Sequence, residues 1–166
     1  TVSGLNFANA QKFGYVDTDF ILSKMPDYRK AQDEIDRLSA AWQKETEEMQ
    51  KGVEGMYNAF EAEQVLLTEE MRQERKAEIE KKESELKEYQ RKVFGFGGLF
   101  FLKKQELIKP LQDKIFDAVE KVCKANRLAF LFDKSELVMV YTDPRHDYTD
   151  FILEELGLGD PNDKVK

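Results

Sequence analysis

His146, the only histidine, lies in the run DPRHD, and Cys123, the only cysteine, lies in KVCKAN. Nucleophilic catalysis needs a hydroxyl or thiol beside a positioned base, and that base is most often histidine. Local spacing here makes no Cys–His or Ser–His pair, so no catalytic residue is expected. One cysteine allows no intrachain disulfide, and on an apolar helix face it reads as a core residue. Asp17, Asp19, Asp143, Asp147 and Asp150 supply carboxylates but not the loop pattern of an EF-hand, so no metal is expected. GFGG at 95–98 lacks the lysine and Ser/Thr ending of a phosphate loop. The chain reads as a non-enzyme with no cofactor.

The residues left to do chemistry are apolar. Met49, Met56, Tyr57, Phe60, Leu66, Leu67 and Met71 stand in a segment otherwise dense in Glu and Lys. They fit the core of a helical hairpin. Methionine is also polarisable and adaptable, as a surface that binds many partners requires. VFGFGGLFFL at 93–102 breaks a charged helix with glycine and phenylalanine. Folding the hairpin about Thr68 sets Gly95, Gly97 and Gly98 opposite LSAA at 38–41. Two readings stay open together. Glycine in a helix is unfavourable by about 1 kcal/mol against alanine, so the patch can serve close helix packing. It can equally form a bulge or flexible elbow that offers Phe94, Phe100 and Phe101 to a partner.

Long helices must carry these residues. FGYV at 13–16 predicts a strand, Asp17 or Thr18 caps a short helix, and Pro26 suits a helical first turn. From Pro26 the apolar seam runs through Tyr28, Ala31, Ile35, Leu38, Trp42, Met49, Met56, Ala59 and Leu66, with Glu45, Gly52 and Glu63 as defects. Thr68 followed by Glu69 and Glu70 predicts an N-cap and a reversal. The returning seam holds Ile79, Leu86, Tyr89, Val93, Phe96, Phe100 and Leu107, then Ile108, Leu111, Ile115, Ala118 and Val122. Phe116, Val119 and Cys123 widen its last face, which implies burial on more than one side. Pro110 removes a backbone bond and should bend the helix. LAFLF (128–132) and LVMVY (137–141) predict a hairpin closed by residues 133–136. Thr149 or Asp147 caps a last helix that Gly157 stops.

Charge and size bound the partners. The chain has 166 residues and a net charge of −7, with 36% charged and 41% hydrophobic residues, a balance that suits long helices rather than disorder. Residues 27–92 hold 13 basic and 18 acidic side chains. No nucleic-acid partner is expected, because phosphate affinity needs clustered Lys and Arg and an acidic chain is a poor general binder. No apolar run is long enough to span a membrane. Residues 1–12 lack the plan of a signal peptide, so any export signal is expected to have been removed already. Three short strands make a marginal sheet with open edges, and their apolar faces want cover from other subunits. Tyr15, Val16, Leu128, Phe130, Phe132, Val138 and Val140 are the residues expected in such a shared body.

FGYVDTDFILSKMPDYRKAQDEIDRL, LTEEMRQERKAEIEKKESELKEYQ and QELIKPLQDKIFDAVEKVCKANRLAFLFDKSELVMVYTDPRHDYTDFILEELG together resemble Skp/OmpH-type periplasmic chaperones, in the Bacteroidetes form. The resemblance runs over roughly residues 13–157. It implies an α+β fold: a small β-rich trimerisation body with a long helical-hairpin, coiled-coil arm, in a jellyfish-like trimer. Residues 1–25 would form the strand and short helix of the body, 26–109 the arm, 110–157 the rest of the body and 158–166 a flexible tail. The implied activity is an ATP-independent periplasmic holdase. A homotrimer would hold unfolded outer-membrane proteins in a cavity between its arms. The best-known members are basic, whereas this chain is acidic. Its charge therefore argues against membrane or lipopolysaccharide contact. The rival reading is a coiled-coil structural or adaptor protein with one specific partner, which should show a regular seam.

Overall fold

The computed structural model describes residues 11–160. The leading stretch 1–10 and the tail beyond Asp160 lie outside the described residues. The elements run β1 (Lys12–Val16), α1 (Thr18–Lys24), α2 (Pro26–Glu63), a 3-10 turn (Gln64–Leu66), α3 (Glu69–Phe94), α4 (Leu99–Asn126), β2 (Leu128–Asp133), a second 3-10 turn (Pro144–His146) and α5 (Thr149–Glu155). They form two compact units. Residues 31–107 make one; of the described residues, 11–30 and 108–160 make the other.

In the second of these, β1 and β2 pair in parallel, with Phe13 beside Phe130 and Tyr15 beside Phe132. Asp17 accepts from Phe20 N at 2.9 Å to cap α1, and Pro26 opens α2. Tyr15 and Val16 are buried, with Ile21, Leu22, Ile152 and Leu153 and the α4 residues Ile108, Leu111, Ile115, Ala118 and Val122. Ile21 and Ile152 are fully buried; each such side chain contributes roughly 1.5–3 kcal/mol. The body thus has a core of its own, because α4 supplies the cover that its strands and short helices lack. Pro110 sits within α4, which runs unbroken through it.

The expected hairpin is absent. Residues 137–141 form no strand, and β2 pairs with β1 instead. The turn chemistry explains this. Asp133 accepts from Ser135 N at 3.0 Å and Ser135 Oγ at 2.8 Å, and from both the amide and the hydroxyl of Thr18. These bonds tie the chain after β2 to the start of α1 instead of closing it on itself. The other edge of β1 is partly taken, since Tyr148 N donates to Tyr15 O at 2.9 Å. Asp147 accepts from Thr149 N, whereas the Thr149 hydroxyl caps no helix and accepts from Asp17 N at 3.1 Å.

In the arm unit, Thr68 Oγ1 accepts from Met71 N and caps α3, so the reversal falls at 64–68. The α2 seam differs from a strict heptad. Val53 is buried, and Thr46, Phe60, Gln64 and Leu67 are half-buried, while Glu45, Gly52, Ala59, Glu63 and Leu66 are exposed. A helix turns every 3.6 residues, so a 3.5-residue count slips by a position over this length. All three expected defects lie off the seam, which is therefore more regular, with Thr46 and Gln64 as its polar members over this stretch.

The returning helix ends at Phe94. Gly95 caps it, Gly97 has φ 67° and Gly98 N donates to Gly95 O at 2.9 Å. A Cβ on Gly98 would stand 2.6 Å from Val93 O, its own backbone, and one on Gly97 would meet nothing within 4 Å. The glycines therefore serve a turn, not close packing against residues 38–41. Phe96, expected on the seam, sits in this turn and is fully exposed.

Candidate functional site

Two tyrosines link the arm helices. Tyr57 Oη donates to Glu83 Oε1 at 3.0 Å, and Tyr89 Oη donates to Glu45. The bond to Glu83 and partial burial raise the Tyr57 pKa. Burial, then the Glu45 bond, push Tyr89 up to about 12. Both phenols are thus neutral donors, and Glu45 works as an acceptor across the hairpin rather than as a seam defect.

Around these links the apolar residues sort into three groups. Met56, Phe60 and Leu67 are half-buried against Ile79, and Met49 is half-buried further along α2. At the reversal, Leu66 and Met71 are exposed, together with Val65 at 79%. At the glycine turn, Phe94 and Phe101 are exposed, and Phe100 is half-buried with its ring 6.2 Å from that of Phe94. Phe96, Leu99 and Leu102 are exposed in the same stretch. Sequence reasoning passed over Val65, Phe96, Leu99 and Leu102 as candidates. For Val65 and Phe96 the signal was a break in helical periodicity, since a side chain in a turn is freed from the seam; Leu99 and Leu102 lie in the first turn of α4, just past that break.

The body carries further open apolar surface. Tyr15 and Val16 are buried within the chain, whereas Phe130, Phe132, Val138 and Val140 are exposed and Leu128 is half-buried. Phe116 of α4 is 68% exposed and borders a groove with Val119, Leu22 and Leu131. A second groove is lined by Phe13, Phe132, Met139 and Tyr141. His146 stacks on Phe13 with ring centroids 5.0 Å apart. Arg145 holds Asp143 down to about 2, and burial raises the Cys123 thiol. Among the described residues, no group of three or more His, Cys, Asp or Glu side chains could hold a metal ion. None of the described helices is long and apolar enough to cross a membrane.

What this arrangement offers is apolar surface on charged helices and on a small sheet. The family model of OmpH-like outer membrane proteins matches residues 12–156. The chain belongs to the OmpH-like family. An uncharacterized protein of Aquifex aeolicus (strain VF5) is 30% identical over 155 residues, covering 93% of this chain and 90% of that protein. Among solved structures, an OmpH-like candidate outer membrane chaperone from Caulobacter crescentus CB15 superposes with a TM-score of 0.68 at 10% identity. The match covers 95% of this chain and 89% of that one. Long helices with a small two-stranded sheet are thus the OmpH-like fold of this chain.

Proposed function

We propose that this OmpH-like chain is an ATP-independent periplasmic holdase for unfolded outer-membrane proteins, working as a homotrimer. The observation that carries the reading is the amount of large apolar surface left open on an otherwise highly charged arm. Val65, Leu66, Met71, Phe94, Phe96 and Phe101 are all exposed. Single exposed apolar residues are normal, but runs of them mark interaction surfaces. A holdase needs many weak apolar contacts and no defined chemistry, and the candidate chaperone from Caulobacter crescentus shares the fold. The body residues Phe130, Phe132, Val138 and Val140, with the edge of β2 that meets no strand among the described residues, would supply the surface on which copies assemble. Met49, Met56, Tyr57, Phe60, Leu66, Leu67, Met71, Phe94, Phe100 and Phe101 would contact the client.

The regular arm seam favours a second reading, a coiled-coil adaptor with one specific partner. The test separates them. Purified protein without nucleotide should suppress the aggregation of several unrelated proteins diluted from denaturant. Suppression confined to one protein supports the adaptor, and none at all overturns the holdase.

A further inference from the structure

Near the closed end of the arm, α2 and α3 leave a cleft of about 170 Å³. Ile79, at its floor, is 2% exposed. Met56, Phe60 and Leu67 wall it and are half-buried. Two charged residues line it. Arg75 is already paired with Glu78 at 3.2 Å. Glu63 is exposed and, among the described residues, makes no ion pair.

We propose that this cleft receives one aromatic side chain of an unfolded segment, with a neighbouring basic residue of that segment on Glu63. The proposal rests on the holdase reading and gives it a defined subsite. Size supports it: an apolar cavity of about 150 Å³ accommodates a benzene ring. A folded element would not enter such a space. An aromatic ring brings more apolar area than other side chains at little loss of rotamer freedom. Met56 adapts its shape and its sulfur suits contact with a ring. Charge selects the neighbour. Arg75 is engaged by Glu78 and the Lys76 ammonium by the face of the Phe60 ring, 5.9 Å from its centre, so the Glu63 carboxylate is the rim charge left to pair with an incoming base, and the arm around it carries more acid than base.

The test uses the full chain and three blocked dipeptide amides, acetyl-Phe-Lys, acetyl-Leu-Lys and acetyl-Phe-Glu. Carbon-13-labelled methyl groups of Met56 and Ile79 report the cleft. Acetyl-Phe-Lys should move both methyl signals upfield by ring current and should saturate. Acetyl-Leu-Lys and acetyl-Phe-Glu should bind several-fold more weakly. Glu63→Gln should abolish the difference between the Lys and Glu peptides. Ala59 also lines the cleft, so Ala59→Leu should fill it and remove the shifts; Ala59 is exposed on α2 and leucine is a strong helix former, so helicity should be unchanged. Absent shifts, equal binding of the Phe and Leu peptides, or full binding by Ala59→Leu would each overturn the proposal. If wild type suppresses aggregation without such shifts, the cleft assignment falls and the holdase reading stands. If it shows the shifts but suppresses nothing, the holdase reading falls instead.

Discussion

At the residue scale, the tyrosine–glutamate links make a pH-dependent brace. Burial, and after it the hydrogen bond to the ionised Glu45 carboxylate, favours the protonated phenol, so the folded-state pKa of Tyr89 lies at about 12, above the ordinary value near 10. A raised pKa of this kind adds stability that is complete below about pH 10 and is lost as pH rises through about 12. Tyr89→Phe should therefore be less stable than wild type at neutral pH. The gap between their urea midpoints should close as pH rises across that window. A gap that stays constant to pH 12 would show that neither burial nor the Glu45 bond holds the proton on Tyr89. The link was invisible in the sequence for a simple reason. A strict heptad count put Glu45 on the apolar seam, where a carboxylate reads as a defect. One position of helical drift moves Thr46 inward and leaves Glu45 at the edge, within reach of Tyr89.

At the element scale, the glycines divide into two kinds. Gly97 holds a left-handed backbone with φ 67°, and Gly52 and Gly55 lie within α2 with open space where a Cβ would stand. Forcing alanine into the left-handed region costs roughly 1–2 kcal/mol. Replacing an exposed helical glycine by alanine gains roughly 0.5–1 kcal/mol. Gly97→Ala should thus lower the arm's stability, and Gly52→Ala should raise it, as read by thermal unfolding followed by helicity. A rise for Gly97→Ala would mean that α3 and α4 join into one helix. Elements with local signals were legible from the chain alone: Thr68 before two glutamates, Pro26 at a first turn, and three glycines in four positions. The segment LVMVY was not. Its composition favours a strand, but a strand is defined by a partner, and Asp133 turns the chain away from the hairpin that would have supplied one.

For the whole molecule, the exposed body residues carry the prediction. Val140 is 98% exposed in the chain. A surface substitution at such a position usually changes stability by less than about 0.5 kcal/mol. In an assembly, a buried unpaired carboxylate is far more damaging. Val140→Asp should therefore leave the chain folded yet abolish the homotrimer, measured by sedimentation against wild type near micromolar concentration. Wild type sedimenting as a monomer of 19.4 kDa would contradict the assembly. So would a trimer that Val140→Asp leaves intact.

The central claim is that open apolar surface on the arm, not charge, holds the client. The most direct measurement is the affinity for an unfolded outer-membrane barrel protein at low and high ionic strength, with wild type and with a variant in which the exposed Leu66, Met71 and Phe101 are all serine. Exposed charge pairs are screened beyond roughly 8 Å at physiological salt, whereas apolar contacts are not. The account predicts an affinity that weakens no more than several-fold with salt, the share that the exposed Glu63 carboxylate can contribute. It predicts a loss of about tenfold in the serine variant, equivalent to about 1.4 kcal/mol, with the assembly unchanged. Steep weakening by salt, with normal binding by the serine variant, would contradict it.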